Sequence, residues 1–312
     1  MEEGHYHIPA LLRESIEGLN IHPGGIYIDA TMGGGGHSRA ILEALGSDSH
    51  LYGFDRDMDA GVNAPADPRF TFVHSDFRYL TNFMEYYGVE KVDGVLADLG
   101  VSFHHFDTAG RGFSFRNDAP LDMRMNRSGG VTAATLIAES DKEQLETLLR
   151  TYTDLSRPGA VAAAIIKRKD HSPILTTTDL VEAVRDTLNP RKEKKELAQI
   201  FQSLRIAVND EMGALKSLLE QCRNAIRPGG RLAVITYHSI EDRIVKNFMR
   251  SGNVEGNIDQ DIYGRINTPW KLITRSPIIP NEEEIERNPR SRSAKLRIAE
   301  RKADNSEQQN QR

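Results

Sequence analysis

The chain has 312 residues, of which 38% are hydrophobic and 27% charged, and its formal net charge is −5. These values are typical of a globular protein with one large or two small domains, and they do not favour nucleic-acid binding except through a local basic face. One cysteine, Cys222, excludes an internal disulfide. Since neither a signal peptide nor an apolar run of membrane-spanning length is visible, we expect a cytoplasmic protein.

A glycine-rich stretch near the N-terminus carries the strongest functional signal. Residues 26–29 predict a short buried strand, followed by four consecutive glycines and a helix capped by Ser38. Strand, glycine turn and helix open a nucleotide-binding βαβ unit, in which a Cβ would block close approach of a nucleoside. A dinucleotide site needs G-x-G-x-x-G, but Ser38 or Arg39 stands at the third glycine position. Asp29 followed by Gly33 and Gly35 instead resembles the D/E-x-x-x-G-x-G loop of S-adenosylmethionine methyltransferases.

Three further strands are predicted next, at residues 51–54, 70–73 and 92–98. They alternate with helical segments at a spacing that suits a parallel sheet, where ligands bind at the carboxyl ends of strands. We therefore expect Asp55 to accept hydrogen bonds from two ribose hydroxyls. Asp76 and Phe77 are expected to meet an adenine, although packing against the next helix is a serious alternative for Phe77.

The pattern is helical from about residue 120 to residue 208. Capping pairs are predicted at Asp141 with Gln144 and at Asp179 with Glu182, and Asn209 is expected to cap a further helix. A tight turn at residues 228–230 then leads into a strand at 231–237, Ser239 caps a helix, and Trp270 lies in a loop before a last strand at 293–299. We expect a discontinuous core, 1–119 and 209–303, a helical insert for substrate recognition, 120–208, and a disordered tail, 304–312.

Seven segments together resemble one family, the bacterial small-subunit (16S) ribosomal RNA cytosine-N4 methyltransferases. The resemblance covers nearly the whole chain, and its order and spacing are specific although each motif alone is weak. The segments are Gly-Gly-His-Ser (35–38), Asp-Arg-Asp (55–57), Asp-Leu-Gly-Val-Ser (98–102), Arg-Gly-Phe-Ser-Phe (111–115), Pro-Leu-Asp-Met-Arg-Met (120–125), His-Ser-Ile-Glu-Asp-Arg (238–243) and Asn-Pro-Arg-Ser-Arg-Ser (288–293).

The resemblance implies an α/β fold: a Rossmann-like methyltransferase core with a mostly parallel seven-stranded sheet and an inserted all-helical domain. It also implies S-adenosylmethionine as cofactor. His105 stands where the family usually has a glutamine, and residues 198–202 depart from the family's usual Thr-Arg-Thr-Phe-Gln. The implied cofactor contacts are Gly35, Gly36, His37, Asp55, Phe77, Asp98 and, in place of that glutamine, His105.

Candidate residues for the reaction lie at the ends of the fourth and fifth strands. Asp98, His238 and Ser239 are the catalytic candidates, and Asp98 could instead hold the amine of the cofactor. Phe103, Phe113 or Phe115 could stack on a base that has left its helix, or could be core residues. Arg111, Arg116 and Arg124 are expected to contact RNA; alternatively they pair with Asp118 and Asp122 and shape the loop.

The predicted function is methylation of the exocyclic N4 amine of a cytosine in the decoding region of 16S ribosomal RNA. Two alternatives stay open at this point: an NAD-linked Rossmann oxidoreductase, and a non-catalytic ribosome-assembly factor that binds RNA. The expected partner is the small ribosomal subunit, with no membrane involved and with the oligomeric state open between monomer and homodimer. The scattered histidines predict no metal site.

Overall fold

A seven-stranded sheet forms the centre of the larger part of the molecule, in a computed structural model that describes residues 9–99 and 110–303. Its order is β3-β2-β1-β4-β5-β7-β6; the first five strands are parallel, and β7 runs antiparallel to both of its neighbours. This confirms the mostly parallel sheet. The strands are β1 (Ile26–Asp29), β2 (His50–Asp55), β3 (Phe70–His74), β4 (Val92–Asp98), β5 (Ile226–Thr236), β6 (Trp270–Leu272) and β7 (Lys295–Arg301).

The register of the parallel strands brings their acidic ends to one edge. Asp29 pairs with Gly53 of β2 and with Leu96 of β4. Asp55 and Asp98 therefore each lie two residues beyond Asp29 on the neighbouring strands. Because carboxyl ends of parallel strands meet at the same edge, three acidic side chains gather where this class of fold binds its ligands.

The helices, numbered along the described residues, are α1 (Leu12–Leu19), α2 (Gly36–Ala44), α3 (Leu80–Tyr86), α4 (Ala133–Glu139), α5 (Lys142–Tyr152), α6 (Pro158–His171), α7 (Thr177–Val184), α8 (Glu193–Asn209), α9 (Glu211–Ala225), α10 (Ser239–Ser251) and α11 (Glu282–Arg287). Apolar residues of α1 and α2 pack with β1, β2, β4, β5 and β7 in one buried core. The first six residues of β4 are all buried, which shows that both faces of this strand are covered.

Two local predictions about β5 and β6 are wrong. Residues 228–230 do not form a turn before β5 but lie within it, as a bulge opposite Asp93 in which Gly229 has a φ of +83°. Trp270 does not lie in a loop: it begins β6 and is 1% exposed, with its ring 5.6 Å from that of Phe248. A three-residue edge strand is too short to be found from alternation alone.

The chain divides into two compact units, Met1–Gly100 with Gly213–Arg312, and Val101–Met212. The second unit contains α4 to α8 around its own apolar core, and the expected insert, 120–208, lies inside its bounds. The capping box of Asp141 and Gln144 is confirmed. The cap of α7 is Thr176 with Asp179, one turn before the predicted pair.

Asn209 does not cap α9, as its sequence position suggested. It is the last residue of α8, and its side chain donates to the Met123 carbonyl oxygen at 2.8 Å and accepts from the Met125 N–H at 2.8 Å. The side chain thus joins the arginine-containing loop to the end of α8. Such a contact between residues more than eighty positions apart cannot be read from local sequence.

Candidate active site

Two glycines with left-handed backbone shape the loop after β1. Gly33 and Gly35 have φ values of +49° and +72°, which residues with a side chain rarely adopt. A Cβ on Gly35 would also lie 2.7 Å from the backbone oxygen of Asn63. Because α2 begins directly after Gly35, the prediction that Ser38 caps it is wrong. Ser38 lies within the first turn, and its hydroxyl donates to Asp29 Oδ2 at 2.6 Å.

Asp55 connects the end of β2 to this glycine loop. Its Oδ2 accepts from the Gly33 N–H at 2.9 Å and its Oδ1 from the Asp57 N–H at 2.8 Å. A carboxylate oxygen can accept more than one hydrogen bond, so Asp55 is chemically suited to hydroxyl groups of a ligand. Apart from its chain neighbours, the adjacent Gly34 has no atom of the described residues within 4 Å of the position of a Cβ, so this part of the structure leaves the loop open there. A nucleoside therefore fits this corner chemically.

Asp29 and His37 form a buried pair beside the loop. Burial raises the pKa of Asp29, while the charge of His37 and hydrogen bonds from Ser38 and Thr31 oppose that rise. Burial lowers the pKa of His37, so the imidazole is neutral at pH 7. Its Nε2 lies 3.2 Å from the carbonyl oxygen of Ala10 and must carry the proton, because a carbonyl can only accept. Nδ1 consequently has a lone pair.

Asp98 lies next to that lone pair at the end of β4. Its Oδ2 is 3.7 Å from His37 Nδ1, and its backbone N–H donates to Thr31 Oγ1 at 2.6 Å. The Tyr237 hydroxyl donates a hydrogen bond to Asp98, and the pKa of Tyr237 is raised first by burial and then by this carboxylate. A carboxylate and a neutral imidazole nitrogen at this distance can both accept hydrogen bonds from one ammonium group.

Asp76 and Phe77 follow β3 at the same edge of the sheet. The Asp76 carboxylate accepts from the Arg78 N–H at 2.9 Å and lies 3.4 Å from guanidinium nitrogens of both Arg56 and Arg78. Two arginines therefore hold this carboxylate in place. Phe77 begins a short 3₁₀ turn and is half-buried, which leaves part of its ring accessible.

His238, and not Ser239, caps α10, which corrects the predicted helix start. Glu241 is 2% exposed, and its Oε2 accepts from the N–H groups of Tyr237 at 2.9 Å and His238 at 3.4 Å. The His238 ring provides the other half of the cap: its Nδ1 accepts from the Glu241 N–H at 3.4 Å. Its Nε2 lies 2.9 Å from Glu241 Oε1. Any catalytic role of His238 or the exposed Ser239 must coexist with this cap.

The three arginines expected to contact RNA do not share one environment. Arg111 is 4% exposed, and its Nη2 donates to the carbonyl oxygens of Arg124 at 3.0 Å and Met125 at 2.9 Å. Arg124 forms a two-bond ion pair with Asp122, at 2.7 and 2.9 Å. Arg116 is exposed. For Arg111 and Arg124 these contacts favour the alternative in which the arginines shape the loop, because their guanidinium groups already bond within it.

The phenylalanines of the same loop are core residues of the helical unit. Phe113 is 5% exposed, and Phe115 packs against the same core with its ring 5.5 Å from that of Phe201. Both rings pack against the core of the helical unit. The structure therefore does not support base stacking for either. Phe103 and His105 lie outside the described residues.

The described residues contain neither a candidate metal site nor a candidate membrane-spanning helix. Within residues 9–99 and 110–303, no group of three or more histidine, cysteine or acidic side chains could hold a metal ion. The helices of those ranges are all too short or too polar to cross a membrane.

Comparison with known proteins decides the family. The model described as the MraW methylase family matches residues 4–302, almost the whole chain. The chain belongs to this family. It is therefore an S-adenosylmethionine-dependent methyltransferase, and the NAD-linked and non-catalytic alternatives are set aside.

Named relatives of this MraW-family chain cover it nearly end to end. A protein of Phocaeicola vulgatus called ribosomal RNA small subunit methyltransferase H is 55% identical over 95% of this chain and 98% of its own length. Proteins of the same name from Parabacteroides distasonis and Porphyromonas gingivalis are 56% and 54% identical over 95% and 96% of this chain and 97% and 98% of their own.

Sequence reasoning missed the residues that hold the MraW-family site in shape. Ser38 is predicted as a cap and Tyr237 as a strand residue, yet their hydroxyl groups donate directly to Asp29 and Asp98 at the sheet edge. A carboxylate at the end of β1 with a hydroxyl nine residues later was the available signal for the first pair. Nothing local connects Tyr237 with Asp98, which lies on the neighbouring strand.

Proposed function

We propose that this chain transfers the methyl group of S-adenosylmethionine to the exocyclic N4 amine of a cytosine in small-subunit (16S) ribosomal RNA. The observation that carries the proposal is the site itself: an open glycine loop, a carboxylate that holds it, and an acceptor pair at the next strand end. The names of its relatives support ribosomal RNA as substrate. Such a substrate would place the enzyme in the cytoplasm.

The described residues that would contact the cofactor lie near three strand ends. Asp55, whose carboxylate also accepts from the N–H groups of Gly33 and Asp57, would accept from the ribose hydroxyls. The acceptor pair of His37 and Asp98 would hold the amino group of the methionine part, since neutral imidazole and carboxylate both accept from an ammonium. Gly35 and Gly36 would let the backbone approach, and Phe77 would cover the adenine with its accessible side.

The bound cofactor supplies an activated methyl group on a sulfonium whose departure needs no proton. The work of the chain is therefore to orient the amine in line and to accept its proton. Cytosine N4 is a weak nucleophile because its lone pair is delocalised into the ring, so an acceptor on its N–H would localise that pair. Asp98 is the acid at the correct strand end, with Tyr237 fixing its orientation. Since the same carboxylate is proposed above to hold the amino group of the methionine part, His238 and Ser239 are the alternative acceptors of the amine proton.

The helical segment, 120–208, is proposed as the part that recognises the substrate. It has its own apolar core, so it can present a fixed surface independent of cofactor binding. The exposed Arg116 remains a candidate RNA contact, whereas the contacts of Arg111 and Arg124 favour a role in shaping the loop.

Transfer of tritiated methyl groups from S-adenosylmethionine to undermethylated small subunits tests the proposal. The modified nucleoside is then identified by mass spectrometry, and N4-methylcytidine is expected. An Asp98→Ala variant should incorporate at most background label while keeping the thermal stability of its helical unit. A methyl group on another atom, or no incorporation by the unmodified enzyme, would overturn the proposal.

A further inference from the structure

A basic groove lies on the sheet unit between α10 and β6, and we refer to it as the α10–β6 groove. It has a volume of about 250 Å³. Its cationic lining comes from Lys246, Arg250, Arg275 and Arg297, and its remaining lining from Met249, Leu272 and Thr274. Four cations around one small concavity repel each other, which favours an anionic occupant.

Most of the positive charge in the groove is not neutralised by the protein. Arg297 forms a two-bond ion pair with Asp242, at 2.7 and 3.1 Å, and Asp242 also lies 3.7 Å from Lys295. Among the described residues, in contrast, Lys246, Arg250 and Arg275 have no carboxylate within ion-pair distance. All three are exposed. Asp242 is thus already shared by two cations.

The exposed cations continue along one face of α10. Arg243, Lys246 and Arg250 are spaced by three and four residues, which places them in a single row on a helix. Opposite this row the helix buries Ile244, Val245 and Phe248. The apolar face therefore fixes the helix on the sheet, and the basic row faces solvent.

The groove is separate from the methyl-transfer edge but connected to it by one helix. Ser239 is the first residue of α10 and comes shortly after the end of β5. β5 pairs with β4, the strand that ends in Asp98. A helix rises about 1.5 Å per residue, so Lys246 and Arg250 lie roughly 10 and 16 Å along the axis from Ser239. Cations at that distance cannot touch the reacting amine, yet they can contact the same nucleic acid strand.

We propose that the α10–β6 groove binds phosphates of the ribosomal RNA backbone outside the target nucleotide. The inference rests on the proposed function for the identity of the polyanion, while the groove itself is defined by geometry and charge alone. Arginine and lysine side chains without acidic partners are the residues that release counterions when they meet phosphate. The groove then contributes affinity and register, and the strand ends contribute the chemistry.

A solvated basic face is the main alternative, and a matched pair of variants separates the two. Lys246→Ala with Arg250→Ala removes two exposed cations of the groove. Lys216→Ala with Arg223→Ala removes two exposed cations from α9 of the same unit and serves as control. Arg275→Ala tests the groove from a different element. Unchanged thermal unfolding and unchanged S-adenosylmethionine affinity establish that each variant is folded.

The measurement is the affinity for a small-subunit RNA fragment as a function of salt concentration. Two lost phosphate contacts should reduce the slope of log affinity against log salt by about 1.4 to 1.8 and weaken binding roughly tenfold to thirtyfold near 0.15 M salt. Arg275→Ala should reduce the slope by about half as much. On assembled subunits the groove variant should raise KM and leave kcat unchanged, and the control variant should change neither.

Failure of this inference is distinguishable from failure of the proposed function. If the unmodified enzyme methylates subunits and the groove variant matches the control, the groove inference alone is overturned. Binding of inorganic phosphate by calorimetry, with an RNA salt slope that the variant leaves intact, would make the groove a small-anion site and overturn it too. If the unmodified enzyme methylates no RNA, the proposed function falls, whereas a retained difference in RNA binding would still support the groove.

Discussion

Replacement of Arg111 by alanine is expected to destabilise the helical unit severely, although arginines in such loops usually serve binding. The side chain is 4% exposed and donates to two carbonyl oxygens, at 3.0 and 2.9 Å. Hydrogen bonds that involve a charged group contribute about 1.5–3 kcal/mol each, so the loss is roughly 3–6 kcal/mol. A domain has only about 5–15 kcal/mol in total. For a unit of this size each kcal/mol lowers Tm by about 4–8 °C, so a decrease of at least ~12 °C is expected.

Arg116→Ala is the matched control, because Arg116 lies in the same loop and its side chain is exposed. Its backbone N–H donates to Ser114 Oγ at 3.2 Å, a bond that the substitution leaves in place. Its effect on unfolding free energy should be within about 0.5 kcal/mol. Both variants are followed by thermal unfolding with circular dichroism and by the salt dependence of RNA binding. If Arg111→Ala kept its Tm and lost only RNA affinity, the structural assignment of Arg111 would be refuted.

Three further predictions concern the glycine loop and its acids. Asp55→Ala should weaken S-adenosylmethionine binding at least about tenfold in calorimetry, since one charge-assisted bond contributes about 1.5–3 kcal/mol; unchanged affinity would remove Asp55 from the site. Gly35→Ala should lower the unfolding free energy in urea by ~1 kcal/mol or more, because its φ of +72° is unfavourable with a Cβ that would lie 2.7 Å from the Asn63 oxygen; equal stability would contradict this. The pKa of His37 is lowered by folding, so the stability it contributes is present above an unfolded value of about 6.5 and is lost as pH falls. Tm should therefore drop more steeply between pH 7.5 and 5 in the unmodified protein than in His37→Gln, and parallel profiles would exclude His37 as the cause.

The strand ends that carry the acids were predictable from the sequence, whereas the starts of α2 and α10 were not. Apolar runs that end in Asp29, Asp55 and Asp98 identify strands and also give the edge at which they meet, because parallel strands share a direction. Helix starts depend on the backbone conformation of one residue. At α2 that residue is Gly35 in the left-handed region, and at α10 it is His238, whose ring replaces the usual hydroxyl cap. Ser38 and Ser239 matched the residue preference but not the position.

The roles of the arginines could not be predicted, for a different reason. Arg111 and Arg116 are five residues apart in the same run, and both are of the residue type expected to contact RNA. One is buried against carbonyl oxygens thirteen and fourteen residues away, and the other faces solvent. Composition describes how many cations a loop has, while the fold of the loop decides which of them remain available to phosphate.

The position of β7 in the sheet has a consequence for how the protein is made. Translation produces β5 and then β6, but β7, which follows both in the chain, lies between them. Until residues 295–301 leave the ribosome, β5 has a bare edge, and β6 lacks its only partner among the described strands. Unpaired strand edges recruit other chains, so the nascent sheet unit is vulnerable to aggregation late in synthesis. All residues of Val101–Met212 are synthesised before β7, so this unit can fold before the sheet is complete.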